Sequence, residues 1–122
     1  MAEGETSALS GRRVLVVEDD YLIADDLARS LEQLGATILG PTGSVKGALA
    51  LLARGEAIDA AVLDINLGAE KVFPVADALI KEGVPFVFAT GYDHWIVPDT
   101  FSRVRRFEKP IDIRALARAL SK

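Results

Sequence analysis

The sequence predicts an open α/β fold in which helices cover both faces of a five-stranded, doubly wound parallel sheet. Three observations support this prediction. Short apolar runs alternate with segments of helical period along the whole chain, no repeat or linker interrupts the alternation, and 122 residues suit one domain of this kind. Such alternation is typical of parallel strands joined by right-handed crossovers.

The first strand and helix are indicated by an apolar run and a helical repeat. The run RVLVV covers residues 13–17 and leads directly into three acidic residues. The helix that follows is expected to end at Gly35, because glycine favours the C-cap region. Its inner face carries four apolar residues at helical spacing: Ile23, Leu27, Leu31 and Leu34.

The middle of the chain adds two strands and two helices. The run TILG at 37–40 is a short strand before a Pro-Thr-Gly turn, and AAVL at 60–63 is a buried strand. Ser44 is expected to cap the second helix, and Pro74 suits the first turn of a third helix that ends near Glu82. The inner face of the second helix is expected to contain Val45, Ala48, Leu49 and Leu52.

The last third is expected to supply two more strands and a closing helix. PFVFA at 85–89 is the fourth strand, and VRRF at 104–107 is a weak fifth strand. The intervening stretch DHWIVPD contains Pro98 and is a poor helix former, so we expect a short or irregular fourth helix. Asp112 caps the closing helix, whose inner face is Ile113, Leu116, Ala117 and Leu120.

Composition excludes several kinds of site. The start of the chain is acidic, rich in small residues and unlike a signal peptide, so we expect a loose tail at 1–11, a single domain at 12–122 and a cytoplasmic protein. No apolar run approaches the length of a membrane span. The absence of cysteine excludes disulfides and thiolate chemistry, and a single histidine, His94, excludes a multi-histidine metal site.

The net charge of −4 disfavours nucleic-acid binding. The basic residues are unevenly distributed, because half of the 14 lie near the C-terminus: Arg103, Arg105, Arg106, Lys109, Arg114, Arg118 and Lys122. This distribution is typical of a solvated helix face, with a protein-docking face as the alternative.

Charged and polar side chains follow the ends of the predicted strands. Glu18 and Asp19 follow the first strand, Asp64 the third, Thr90 the fourth and Lys109 the fifth. Ligands of open α/β sheets bind at this edge. Carboxylates about 5 Å apart repel by roughly 3 kcal/mol per pair at an effective dielectric near 20, and a hard cation such as Mg²⁺ relieves the repulsion. The pattern predicts a Mg²⁺ site where one carboxylate attacks a phosphoryl group.

Four ordered motifs, VLVVEDD, VLDINLG, FATG and EKP, resemble those of the receiver domains of two-component response regulators. The resemblance covers about residues 12–121 and implies the flavodoxin-like (βα)5 fold. It also implies that Asp64 is the phosphoacceptor and that Glu18 and Asp19 form the Mg²⁺-binding acidic pair. The backbone carbonyl of Asn66 would be a further metal ligand.

The same resemblance assigns roles to residues at the other strand ends. It implies that Thr90 and Lys109 contact the phosphoryl group, and that the peptide bond between Lys109 and Pro110 is cis. Asp20, which follows the acidic pair, is expected at the rim of the site without a metal contact.

The stretch PFVFATGY resembles a narrower group, the Phe-Ala-Thr-Gly-Tyr receivers, many of them stand-alone domains of alphaproteobacteria. This implies a histidine kinase of the HWE or a related type as partner, often in general stress signalling. The sequence departs from ordinary receivers in carrying Arg106 three residues before Lys109, where a switch aromatic usually stands. Tyr92 and Arg106 are therefore the switch candidates, and Tyr92 alternatively shields the phosphoryl group.

The expected function is a phosphoacceptor switch rather than an enzyme, beyond its own phosphorylation and dephosphorylation. A histidine kinase or phosphotransfer protein would supply the phosphoryl group, and the output would be binding to a downstream protein. The protein itself would be a monomer or a phosphorylation-dependent dimer. One alternative is a haloacid-dehalogenase-type phosphohydrolase, but Asn66 stands where its second acid belongs. Another is a degenerate receiver scaffold, which the five polar groups disfavour. Nucleotide-binding glycine motifs do not occur.

Overall fold

The computed structural model describes residues 8–91 and 97–121, which form one parallel five-stranded sheet. The strands lie in the order β2-β1-β3-β4-β5, so the chain reverses its winding direction next to β1. This confirms the predicted doubly wound flavodoxin-like fold. The five strands are β1 (Arg13–Val17), β2 (Thr37–Thr42), β3 (Ala60–Asp64), β4 (Phe86–Thr90) and β5 (Arg106–Glu108).

Four α-helices cover the sheet, two on each face. Residues of α1 and α4 pack with one face of the sheet, and residues of α2 and α3 pack with the other. Among the described residues, no helix has both the length and the apolar character that crossing a membrane requires. The helices are α1 (Tyr21–Gln33), α2 (Val45–Ala53), α3 (Phe73–Glu82) and α4 (Ile113–Leu120).

Alternate residues of the central strands enter two separate cores. Val14 and Val16 of β1 pack in the core beneath α1 and α4, whereas Leu15 and Val17 pack in the core beneath α2 and α3. Because side chains alternate across a strand, a strand covered on both faces is expected to be apolar at nearly every position between its ends. This explains why RVLVV shows no polar alternation and why its first acidic residue comes where the sheet ends.

The segment between β4 and β5 contains a short 3₁₀ helix, Asp99–Phe101. It lies where the sequence predicted a short or irregular fourth helix before the closing helix, now α4, and it confirms that prediction. Phe101 is buried and anchors this turn against the sheet. Its ring stacks on Phe73 of α3 at a centroid distance of 5.5 Å and meets the edge of Phe88 of β4 at 5.9 Å. Aromatic packing therefore fixes the 3₁₀ turn at 99–101 against the sheet.

Helix caps agree with the sequence at two positions. The Ser44 hydroxyl accepts a hydrogen bond from the amide of Gly47 at 2.9 Å, and the Asp112 carboxylate accepts from the amides of Arg114 and Ala115. Both side chains thereby satisfy amides that the first turn of a helix leaves unpaired.

Several predicted boundaries need correction. Strand β2 continues with an irregularity through Pro41 to Thr42 instead of turning there, and β5 occupies 106–108 instead of 104–107. Leu49 is exposed, and Leu51 packs on the core in its place. The packed region also begins earlier than residue 12, because Leu9 is fully buried and its amide donates to the carbonyl of Leu34.

Candidate functional site

The strand ends enclose a polar cavity of about 250 Å³ beside the point where the sheet reverses direction. Its walls come from β1, β3, β4 and the segment after β5, as the carboxyl ends of parallel strands share one edge. The residues predicted to bind the metal and the phosphoryl group meet there. The cavity is lined by Glu18, Asp19, Asp20, Ile23, Asp64, Asn66, Gly68, Thr90, Gly91 and Lys109.

Lys109 joins the carboxylates of the first and third strands. Its Nζ lies 2.6 Å from Glu18 Oε1 and 3.4 Å from Asp64 Oδ1. The Lys109 amide donates to the Thr90 carbonyl at 2.9 Å, which holds the lysine beside the end of β4. The following bond to Pro110 is cis, the geometry that the resemblance implies. Asp64 is thus paired across the sheet by a residue distant in sequence.

Glu18 is held by both of its carboxylate oxygens. Oε1 pairs with Lys109, and Oε2 accepts the amide hydrogen of Asp20 at 3.0 Å. The Glu18 residue is only 4 % exposed, and burial of its carboxylate is tolerable only because both oxygens have hydrogen-bonding or charged partners. Glu18 therefore contributes charge to the site from a fixed position.

Asp20 has a structural task that the sequence reasoning missed. Its Oδ1 accepts the amides of Leu22 and Ile23, so Asp20 is the N-cap of α1. An acidic residue immediately before a helix is a recognised cap signal, and this signal was available in the sequence. The third acid of the run starts the helix and lines the rim of the cavity.

The acidic residues form a potential cation site. One carboxylate oxygen from each of Glu18, Asp19 and Asp64 can be chosen so that all lie within 4.8 Å of one another. Glu18 and Asp64 are buried, whereas Asp19 is exposed. An all-oxygen donor set with an open side suits Mg²⁺, which retains several waters. The donor chemistry and the cavity therefore fit this ion.

Burial and like charge perturb the protonation of Asp64. Desolvation, together with the hydrogen bond and the charge of Glu18, raises the pKa of Asp64 from 3.8 to about 8, although Lys109 opposes the rise. Burial lowers the pKa of Lys109, but the hydrogen bond to Glu18 and the charges of Asp64 and Glu18 outweigh it. The net pKa of Lys109 is therefore raised, and its ammonium stays charged.

Thr90 and Asn66 complete the walls of the cavity. The Thr90 hydroxyl donates a long hydrogen bond of 3.5 Å to the Gly91 carbonyl. The Asn66 side-chain oxygen accepts from Lys71 Nζ at 3.1 Å. Lys71 was absent from the predicted site, and nothing local in the sequence could have indicated it, because the contact depends on how the loop folds back.

The structure describes one of the two switch candidates. Arg106 is exposed on β5, and Tyr92 lies outside the described residues. The neighbouring Arg105 is also exposed and places its guanidinium 4.5 Å from the centroid of the Phe107 ring.

Solved structures provide the comparisons with known proteins. The solution structure of SdrG from Sphingomonas melonis Fr1 shares 44 % identity with a TM-score of 0.78, over 94 % of this chain and 96 % of SdrG. The BeF3-activated conformation of SdrG, from Pseudomonas melonis Fr1, shares 44 % identity with a TM-score of 0.72, over 89 % of this chain and 92 % of that one.

A third structure is the response regulator receiver protein from Sinorhizobium medicae WSM419. It shares 26 % identity with a TM-score of 0.73, over 90 % of this chain and 91 % of that protein. No protein-family model matches the chain, and no curated protein matches it significantly. The similarity thus extends over nearly the full length of these three solved chains.

Proposed function

The chain belongs to the response regulator receiver domains, and from this we propose that it is a phosphoacceptor switch in which Asp64 takes a phosphoryl group from a histidine kinase. One observation carries the proposal. Asp64 lies buried at the end of the third strand, 3.4 Å from the ammonium of Lys109 and within 4.8 Å of two further carboxylates. A carboxyl group in this setting is suited to a reaction with a phosphoryl group.

The proposed transfer is a displacement at phosphorus. A carboxylate oxygen of Asp64 forms a bond to phosphorus while the bond from phosphorus to the imidazole nitrogen of the donor breaks. The imidazole leaves with the bonding electron pair and acquires a proton from water. Hydrolysis later returns Asp64 to its carboxylate form and releases inorganic phosphate.

The side chains around Asp64 would stabilise the transferred group. Lys109 lies close enough to Asp64 to pair with a phosphoryl oxygen bound there, and the hydroxyl of Thr90 lines the same cavity and can donate to another. Asp19, Glu18 and the backbone carbonyl of Asn66 would hold Mg²⁺ together with Asp64. When bound, Mg²⁺ supplies positive charge that favours ionised Asp64 and neutralises phosphoryl oxygens.

A solved relative supports this role, and a sequence motif indicates the class of the phosphodonor. SdrG, at 44 % identity, has been solved in a BeF3-activated conformation. The motif PFVFATGY supports a histidine kinase of the HWE or a related type as phosphodonor. The output is binding to a downstream protein. A haloacid-dehalogenase-type phosphohydrolase is not favoured, because the structures of high similarity are receiver domains.

Intact mass measurement with a small acyl-phosphate donor and Mg²⁺ tests the proposal. The wild type should gain one phosphoryl group that hydroxylamine removes, whereas Asp64→Asn and a metal-free sample should gain none. Asp77→Asn, which changes an exposed aspartate on α3, is the control and should behave as the wild type. An adduct on Asp64→Asn, or donor turnover without any adduct on the wild type, would contradict the phosphoacceptor assignment.

For the switch, we expect Tyr92→Ala to change the lifetime of the phosphoryl group by about tenfold. Tyr92 follows Thr90 by two residues, and the usual aromatic position is occupied by the exposed Arg106. The decay of the adduct can be followed by intact mass, with Arg106→Ala measured in parallel. A lifetime unchanged in Tyr92→Ala and altered in Arg106→Ala would assign the switch to Arg106 instead.

A further inference from the structure

The loop after Asp64 is folded into a small antiparallel hairpin in which Asn66–Leu67 pairs with Glu70–Lys71. Its base is closed by the amide of Val72, which donates to the carbonyl of Ile65 at 3.0 Å. Leu67 is buried in the core beneath α2 and α3, so its side chain anchors the hairpin to the rest of the domain. A segment that would otherwise be a free loop has a defined shape.

The tip of the hairpin lies against the cation site. Gly68 has a φ of +70°, which favours glycine, and a Cβ at that position would lie 3.7 Å from Asp19 Oδ2. Asn66, in the first arm, lines the same cavity. A displacement of the first arm or of the tip therefore moves backbone that lines the cavity of Asp19 and Asp64.

Two charged side chains hold the second arm of the hairpin. Lys71 Nζ donates to Asn66 Oδ1 at 3.1 Å and so joins the two arms through a side chain. Glu70 Oε2 accepts the amide hydrogen of Val45 at 3.2 Å, which joins the hairpin to the first turn of α2. Lys71 is partly buried and Glu70 is exposed, so the lysine contact is the better shielded of the two.

We propose that Lys71 is a positioning residue for the cation site, acting through the side chain of Asn66 to fix the backbone that faces the ion. This inference rests on the proposed function, since it presupposes that Mg²⁺ binds among the acidic residues. Residues that orient metal ligands typically change metal affinity by about 10- to 100-fold when they are removed.

The sign of the effect separates positioning from simple electrostatics. Lys71 carries a positive charge on the hairpin that borders the acidic cluster, and this charge repels an incoming cation. Removal of the charge alone would strengthen Mg²⁺ binding. Loss of the contact with Asn66 loosens the hairpin and weakens Mg²⁺ binding, so a weaker affinity identifies the positioning role.

The experiment measures the Mg²⁺ dissociation constant of the full chain by titration calorimetry. We expect Lys71→Met to weaken binding by about tenfold, and Lys71→Arg, which retains a donor, to bind nearly as the wild type does. Lys46→Met removes an exposed lysine of α2 and is the matched control, expected to leave the affinity within about twofold. Far-UV circular dichroism establishes that each variant is folded.

A double-mutant cycle keeps the inference testable if Lys71→Met alters the fold. In the Asn66→Ala background Lys71 has no amide oxygen to hold, so adding Lys71→Met should cause no further loss of Mg²⁺ affinity. Equal or tighter binding by Lys71→Met, or additive losses in the cycle, would overturn the inference and leave the proposed function intact. A wild type that binds no Mg²⁺ would overturn both.

Discussion

Lys109→Met is expected to destabilise the cation-free protein by about 3 kcal/mol at neutral pH. Lys109 is the cation that Glu18 contacts at 2.6 Å, and the Glu18 side chain is only 2 % exposed. Without the ammonium, this carboxylate loses its cationic partner and keeps the amide of Asp20 and the hydrogen bond with Asp64. A buried charge that loses its partner costs far more than a surface ion pair contributes.

Lys109→Met should strengthen Mg²⁺ binding and slow the acceptance of a phosphoryl group. Removing a positive charge 3.4 Å from Asp64 should tighten Mg²⁺ binding by at least about tenfold, and Mg²⁺ should restore part of the lost stability. The rate of phosphoryl acceptance should fall on the order of a hundredfold, because a preorganised cation is lost.

Urea denaturation with and without Mg²⁺, calorimetric titration and adduct formation measure these three effects. Lys81→Met, which removes an exposed lysine of α3, is the control and should change none of them appreciably. If Lys109→Met has the same free energy of unfolding and the same Mg²⁺ affinity as the wild type, the close contacts of Lys109 contribute nothing net to either quantity in solution.

Asp64→Asn is expected to stabilise the cation-free protein, and the gain should grow between about pH 4 and pH 8. The pKa of Asp64 is about 8 in the folded protein and 3.8 as the ordinary value, so the folded state retains a proton that the unfolded state has released. Because the folded state binds more protons, wild-type stability falls as the pH rises through this window. Asparagine does not titrate and escapes that loss.

The expected difference at pH 8 is on the order of 5 kcal/mol in favour of Asp64→Asn. Saturating Mg²⁺ should reverse the trend, because the ion binds the ionised carboxylate of the folded wild type and stabilises it by mass action. Urea denaturation from pH 5 to pH 8 measures the effect, with Asp77→Asn as the exposed control. A difference that does not vary with pH would mean that Asp64 is already ionised in the folded protein.

The strands and the edge of the site were predictable because their signals are local. A strand covered on both faces is a nearly continuous apolar run, so RVLVV and AAVL indicate where the chain crosses the core. A charge can follow such a run only where the strand leaves the sheet, which places Asp19 and Asp64 at the same edge. The parallel topology then brings the strand ends together, as the cavity confirms.

Some boundaries were not predictable, since tertiary packing overrides a local pattern. Leu49 follows the helical repeat of α2 but is exposed, while Leu51 packs on the core. Leu9 lies in a stretch rich in small and polar residues and is nevertheless buried beside Leu34. In both cases burial depends on where other elements pack, and the residue's own surroundings in the sequence carry little information about that.

The order of the strands along the chain, the edge at which their polar groups lie and the residue types available there all follow from the amino-acid sequence. The pairing of those residues required the folded coordinates: Glu18 binds Lys109, Asp20 caps a helix, and Lys71 binds Asn66. The difference arises because these pairings depend on distances between elements. Residue type and period report average burial, whereas the pairing of charges and the protonation of Asp64 depend on separations of a few ångströms between elements far apart in the chain.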